Sequence, residues 1–236
     1  MTLEDALAEA PVIAIIRGVQ PTEVEAVAEA LFTAGVRVVE VPLNSPEPLD
    51  SIRRLARYEG RMVWGAGTVL NPGAADAVAE AGARIAVSPN TDAAVIRRIL
   101  ERGMVPLPGF GTASEAFTAY DAGARHLKLF PASTYGAAHI KALKAVLPKD
   151  ARVHAVGGVG PSTMAEWRGM GADGFGLGSE LYKPGMSPEE VHTRALAAVA
   201  AAAARPSAPA GSGQHGQEDQ DRIDALEHAE YAHRDL

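Results

Sequence analysis

Lysine is scarce in this sequence: Lys128, Lys141, Lys144, Lys149 and Lys183 are its five copies. Four of them stand in helical or loop contexts that suit solvated cations. Lys128 does not. In His126-Leu127-Lys128-Leu129-Phe130 a strand's period of two sets His126, Lys128 and Phe130 on one face and the two leucines on the other. With the leucines packed on helices, the amine points into an interior, where lost hydration favours its neutral form. A neutral amine can condense with a carbonyl to form a Schiff base. A structural lysine paired with a carboxylate is the competing reading of the same pattern.

Glu40 bears on that choice. In Val38-Val39-Glu40-Val41-Pro42 the same alternation turns Glu40 away from Val39 and Val41, toward the interior. An internal carboxylate needs a partner or a raised pKa. Near an amine, such a group could move protons to and from a Schiff-base intermediate. A plain Glu40–Lys128 ion pair is the alternative.

Other strand ends carry polar or glycine-rich sequence. Arg17 closes Ile13-Ala14-Ile15-Ile16-Arg17-Gly18, where its planar fork suits either a substrate carboxylate or a surface ion pair. Thr68 follows Gly65-Ala66-Gly67, a turn whose glycines permit close approach to a ligand. Val156-Gly157-Gly158-Val159-Gly160 and Phe175-Gly176-Leu177-Gly178-Ser179 end the last two strand candidates. Glycine-rich loops at such positions bind phosphate through converging backbone N–H groups and a helix N-terminus. His126, His139, His154 and His192 read as scattered, so no metal site is expected. These features together suggest a phosphorylated keto acid and amine-based, metal-free carbon–carbon chemistry.

The elements that must hold these residues follow from the apolar pattern. Strand candidates are 12–16, 37–41, 62–65, 84–88, 104–107, 126–130, 152–156 and 173–178. Helical periodicity occupies 22–34, 48–58, 72–81, 92–102, 113–122, 137–146, 162–170 and 188–203. Strands rich in Val, Ile and Leu without strict alternation suit a parallel sheet covered by helices. Gly35, Gly82, Gly103, Gly123 and Gly171 each stand where a helix gives way to a strand. Eight βα units at about 25 residues each fit a (β/α)8 TIM barrel, at the short end of its range. An open doubly wound sheet is the alternative, but no dinucleotide fingerprint follows the first strand, and no cofactor is expected.

Composition limits the rest. The chain has 236 residues, a formal charge of −7 and no cysteine, which removes disulfides and thiolate chemistry and disfavours non-specific nucleic-acid binding. No apolar run approaches the roughly 20 residues of a membrane span. Glu4, Asp5 and Glu9 contradict a secretory signal, so a cytoplasmic protein is expected. The barrel is assigned to 1–204. Residues 205–213 have Pro/Gly/Ser linker composition, and 205–236 hold seven acidic residues against three arginines. That segment reads as a disordered acidic tail, with a short partner-binding helix over 221–233 as the alternative.

The chain resembles the 2-keto-3-deoxy-6-phosphogluconate and -galactonate aldolases over roughly residues 7–203. The resemblance rests on Ile13-Ala14-Ile15-Ile16-Arg17-Gly18, Val39-Glu40-Val41-Pro42-Leu43-Asn44-Ser45-Pro46, Gly65-Ala66-Gly67-Thr68-Val69, Leu127-Lys128-Leu129-Phe130-Pro131 and Gly157-Gly158-Val159. It implies a class I lyase on a (β/α)8 barrel, a homotrimer acting on a phosphorylated 2-keto-3-deoxy sugar acid and releasing pyruvate. It also implies Lys128 as the Schiff-base lysine, Glu40 as general acid/base and Arg17 and Thr68 around the pyruvyl portion. Gly157, Gly158, Gly178 and Ser179 fall at substrate- and phosphate-binding positions. The phosphogluconate type carries Glu-x-Thr-Leu-Arg-Thr on strand two and Pro-Thr-Gly-Gly on strand seven. Here Glu40-Val41-Pro42-Leu43-Asn44-Ser45 and Ala155-Val156-Gly157-Gly158 stand instead. Val156 lacks that threonine's hydroxyl, and both departures resemble the galactonate branch. The acidic tail lies outside the resemblance. A phosphosugar isomerase with Glu40 as base, and a non-catalytic phosphosugar-binding barrel, are the remaining readings.

Overall fold

Every strand pairing is parallel, and the sheet runs in the order β5-β4-β3-β2-β1-β9-β8-β7-β6. In this computed structural model residues 1–204 are described; the linker and acidic tail expected over 205–236 lie outside them. The strands are β1 (Val12–Ile15), β2 (Val38–Pro42), β3 (Val63–Gly67), β4 (Ile85–Val87), β5 (Val105–Leu107), β6 (Gly109–Phe110), β7 (His126–Leu129), β8 (Arg152–Val156) and β9 (Gly174–Leu177). The helices are α1 (Leu3–Glu9), α2 (Val24–Thr33), α3 (Pro48–Arg54, continued by a 3-10 turn, Leu55–Tyr58), α4 (Pro72–Glu80), α5 (Ala93–Glu101), α6 (Ala113–Asp121), α7 (Ala132–Tyr135), α8 (Ala137–Lys144), α9 (Met164–Gly169) and α10 (Pro188–Ala203).

The expected eight strands become nine by one interruption. β5 pairs with β4, and β6 pairs with β7. Between them stands Pro108, which has no N–H to give to a ladder but whose carbonyl accepts from the Lys128 amide at 2.9 Å. The chain from Val105 to Phe110 is thus one barrel strand cut at a proline, and it closes the ring between β4 and β7. The architecture is an α/β barrel of the TIM type.

Local chemistry explains the helix boundaries. Asn71, Asp92 and Thr112 cap α4, α5 and α6 with side-chain oxygens that accept first-turn amides. All five helix-to-strand glycines have positive φ, from 75° at Gly103 to 108° at Gly123, the conformation that ends a helix without a Cβ clash. Two starts differ from expectation. α2 begins at Val24 and α9 at Met164, each after a hydrogen-bonded turn, Gln20–Glu23 and Gly160–Thr163, that uses the amides a helix would need. The short α7 has no counterpart in the apolar periodicity and follows directly on Phe130-Pro131.

Two apolar cores result. The larger lies between strands and helices and takes Val39, Val41, Leu127 and Leu129. The smaller fills the barrel with Ile13, Val38, Val63, Ile85, Val87 and Leu107. Helix α1, outside the eight expected helices, adds Leu3 and Ala6 to this inner core and so stoppers one mouth. Its sequence signal is a capping box, Thr2 with Asp5. No helix of the described residues is long and apolar enough to cross a membrane.

Candidate active site

Strand parity carries Lys128 and Glu40 inward as expected. Both line a small cavity inside the barrel with Ile13, Ile15, Val87, Leu107, His154, Val156 and Gly176. Glu40 is 2% exposed and Lys128 8%. Burial pushes the Glu40 carboxyl up to about 7, against the opposing pull of the Lys128 and Arg17 charges. Burial also lowers the Lys128 amine from its ordinary value, with Glu40 opposing and Arg17 assisting. Among the described residues no ion pair within 4.0 Å joins the two, and Glu40 Oε2 has no hydrogen-bond partner. Lys128 Nζ lies 4.6 Å from the centre of the Phe130 ring. A bidentate structural ion pair is therefore not what holds these groups. Each sits poorly solvated, with lone pairs or protons left for something else.

Gly67 makes room for the carboxylate. A Cβ on Gly67 would fall 1.6 Å from Glu40 Oε2 and 2.6 Å from Oε1. The glycine-rich turn was expected to admit a ligand; its second glycine admits a side chain of the protein itself. Thr68 follows at φ 61°, a left-handed conformation that a β-branched residue adopts at a cost of order 1 kcal/mol. Its side chain is half-buried at the end of β3.

Arg17 stands exposed at the end of β1 and donates through Nη1 to Asn44 Oδ1. The surface ion pair that its position also suited does not form among the described residues. Its partner Asn44 belongs to the Glu40 motif, where residue type alone assigns it no task.

The loops after β8 and β9 lie against each other: a Cβ on Gly160 would sit 3.5 Å from Glu180 Cγ. Gly157 and Gly158 have φ of 94° and 75°. The Gly157 carbonyl accepts from the Ser133 amide at 3.0 Å, and a Cβ on Gly158 would meet Ser133 Cβ at 2.6 Å. The Gly178 carbonyl accepts from Leu181 and Tyr182, both at 2.9 Å. Gly158, Gly178 and Ser179 donate their own amides to no backbone acceptor among the described residues. Those donors suit an anion. The helix N-terminus expected beside them is displaced, since α9 begins only at Met164.

Two histidines that read as scattered prove to be neighbours. His126 and His154 stack at 5.2 Å, with His126 Nδ1 and His154 Nε2 3.0 Å apart, and Glu4 Oε1 lies 3.3 Å from His126 Nε2. His154 is registered across the ladder from Lys128. Parity already implied this, because 152, 154 and 156 share a face of β8. Full burial, with the His126 charge adding to it, pushes His154 down to about 3. No group of three metal-ligating side chains forms among the described residues. Val156 packs inward, and a Cβ on Gly176 would fall 2.7 Å from its Cγ2.

Comparison with known proteins bears on the chain as a whole. The family model described as KDPG and KHG aldolase matches residues 3–196. The chain is 49% identical over 190 residues to 2-dehydro-3-deoxy-6-phosphogalactonate aldolase of Escherichia coli (strain K12), covering 80% of this chain and 93% of that one. It is 35% identical to the KHG/KDPG aldolase of the same organism, over 70% of this chain and 77% of that protein. A solved structure described as native KDPGal superposes with a TM-score of 0.80 at 49% identity, covering 81% of this chain and 93% of that one. The KDPG aldolase of Legionella pneumophila, with pyruvate captured as a covalent carbinolamine, superposes at 0.74 and 27% identity, over 82% of this chain and 96% of that one. A family model matched over residues 3–196 and a relative 49% identical over 80% of the chain show that the chain belongs to the KDPG and KHG aldolase family.

Proposed function

We propose that the chain cleaves 2-dehydro-3-deoxy-6-phospho-D-galactonate to pyruvate and D-glyceraldehyde 3-phosphate through a Schiff base on Lys128. The observation that carries this reading is the pairing of a desolvated amine with a carboxyl poised near neutral pH in one cavity, without an ion pair between them. The Lys128 amine adds to the C2 ketone, and Glu40 moves protons as water leaves and the imine forms. The protonated imine then draws in the C3–C4 bonding pair as the C4 hydroxyl gives up its proton. D-glyceraldehyde 3-phosphate departs, the enamine is protonated at C3, and water releases pyruvate. Loop amides at Gly158, Gly178 and Ser179 hold the phosphate, with Gly157 shaping the turn, and that remote binding energy orients the reacting bond. Arg17 and Thr68 hold the pyruvyl end.

Preference for the galactonate epimer draws support from Val156, whose apolar side chain offers sugar hydroxyls no partner, and from the higher identity to the galactonate enzyme than to the KHG/KDPG aldolase. The gluconate epimer is the second reading, favoured by the same barrel and the same lysine. A homotrimer accompanies the proposal, and light scattering of the purified chain would test it. Borohydride reduction with pyruvate should add a pyruvate-derived mass to Lys128, and labelling elsewhere, or none, rejects the chemistry. The ratio of kcat/KM for the two C4 epimers decides between them.

A further inference from the structure

The β1–β2 ladder continues past its last backbone pair through two side chains. Backbone register runs from Ile13↔Val38 to Ile15↔Glu40, and the Ile16 amide still donates to the Glu40 carbonyl at 3.1 Å. Beyond that point Arg17 Nη1 donates to Asn44 Oδ1, and the Gly18 amide donates to Ser45 Oγ at 2.9 Å. Arg17 and Gly18 leave β1 while Asn44 and Ser45 leave β2, so two neighbouring rungs fasten the loops together. Gly18 is confined from the far side as well: at φ 82°, a Cβ there would meet Pro184 Cγ at 2.7 Å.

The identity of the holder matters. Arg37, Arg57, Arg98 and Arg125 each pair with a carboxylate. Arg17 instead meets a neutral amide oxygen, and among the described residues no carboxylate lies within 4.0 Å of its guanidinium. A neutral acceptor fixes the direction of a guanidinium without cancelling its charge; a carboxylate in that place would form an ion pair and cancel it. Ile13 and Ile15 of β1 line the cavity, and Arg17 stands two residues beyond Ile15, at its open end. From there its charge opposes protonation of Lys128 and favours ionised Glu40.

We propose that Asn44, supported by Ser45, is a positioning residue that aims Arg17 at the cavity mouth while leaving its positive charge available to the carboxylate of a keto acid bound at Lys128. This rests on the aldolase reading above. The guanidinium is exposed, so its charge is screened by solvent on the open side and acts over short range. A bound carboxylate would replace that solvent.

Borohydride trapping tests it on the full chain, with pyruvate and its neutral methyl ester as probes and half-saturating concentration as the readout. For Asn44→Asp the value for pyruvate should rise about tenfold, the scale of one charge-assisted hydrogen bond, while that for the ester holds within about twofold. Asn44→Ala should fall between wild type and Asn44→Asp, and Asn44→Gln should restore most of the affinity. The trapped yield at saturation should be unchanged throughout, because Asn44 touches neither Lys128 nor Glu40. An equal weakening for both probes, or an Asn44→Asp variant matching wild type, overturns the role assigned to Asn44 and leaves the aldolase intact. A wild-type chain that traps neither probe overturns both. Asn44 is exposed, and a shared melting temperature across the variants excludes misfolding as the cause.

Discussion

The carboxylate of Glu40 occupies the volume in which a side chain on Gly67 would begin, with Oε2 only 1.6 Å from that Cβ position. The carboxylate proposed as general acid/base is thereby seated by an absence of atoms on the neighbouring strand. Backbone register makes this possible, since Glu40 is paired with Gly65 and Pro42 with Gly67. Gly67→Ala should expel the carboxylate toward the Lys128 side of the cavity or turn it out altogether. Turnover is expected to fall at least about a hundredfold, the range ascribed to a positioned proton-transfer group. Circular dichroism and kcat of the same preparation would check it; a folded variant with wild-type kcat removes Glu40 from the mechanism.

Glu40 also sets function against stability. Its folded pKa of about 7 stands above the ordinary 4.5, so the folded state binds the proton more tightly than the unfolded chain. A raised carboxyl pKa favours folding below pH 4.5, and that advantage is lost as pH rises through 7. At pH 8 the charged carboxylate should destabilise the fold by about 3 kcal/mol relative to a neutral isostere. Glu40→Gln is therefore expected to unfold at a higher urea midpoint than wild type at pH 8, to match it near pH 4.5, and to lose most turnover. The wild-type rate of imine formation should inflect near pH 7. Urea titrations at both pH values, with stopped-flow trapping, measure the two halves; a variant less stable at pH 8 refutes the burial argument.

Acid should loosen the barrel at His154, which lines the same cavity as Lys128 and Glu40. His154 is pushed down to about 3 from 6.5, chiefly by burial and then by the His126 charge, while Asp173 pulls the other way and Lys144 and Arg152 add to the depression. A depressed histidine pKa means the fold prefers the neutral ring. Stability is whole above pH 6.5 and falls as pH drops toward 3, because the unfolded chain gains the proton first. Two pH units below 6.5 this amounts to about 3 kcal/mol. Replacing His154 by Asn should flatten the dependence of the urea midpoint between pH 6.5 and 4.5. Identical slopes for wild type and variant would remove His154 as the origin.

Period-two patterning makes much of this legible, because it works where a strand has one helix-covered face and one inward face. That is why Lys128 and Glu40 can be placed from residue order alone. The same rule applied to β8 finds His154 beside Val156, but a lone histidine on a strand carries no chemical flag. The cut at Pro108 is hidden because the apolar run ends at Leu107, while closure of the barrel needs the glycine and phenylalanine beyond the proline. Arg17 held by Asn44 is out of reach: the two stand 27 residues apart, and their contact depends on how two loops leave neighbouring strands. Helix α1 announces itself only in its capping box, since its apolar face is no more than Leu3, Ala6 and Leu7.

That helix yields a stability prediction separable from chemistry. Leu3 is 3% exposed and packs into the inner core with Ile13 and Val38, far along the barrel from Thr68 and Arg17. Leu3→Ala should lower stability by about 2–4 kcal/mol, the range for a buried leucine whose surroundings collapse incompletely. kcat at low temperature should change less than about twofold. Chemical denaturation and steady-state kinetics on one preparation would decide, and a large drop in kcat in a folded variant would tie α1 to the site.

Val156 is the sharpest test of epimer preference because a single hydroxyl distinguishes it from threonine. It is 5% exposed, lines the cavity with Lys128 and Glu40, and packs over Gly176. Val156→Thr keeps the shape but buries a polar group, which without a partner costs about 1–3 kcal/mol and with one regains it. A substrate hydroxyl oriented toward strand β8 supplies that partner, and its C4 epimer does not. The kcat/KM ratio should therefore move toward the gluconate epimer by about tenfold, the equivalent of one hydrogen bond. The free variant should be modestly destabilised. That stability should be recovered when the preferred epimer is bound, since the hydroxyl then has its acceptor. Two epimers falling together would mean that the new hydroxyl meets neither of them, and that preference is decided at the phosphate loops instead.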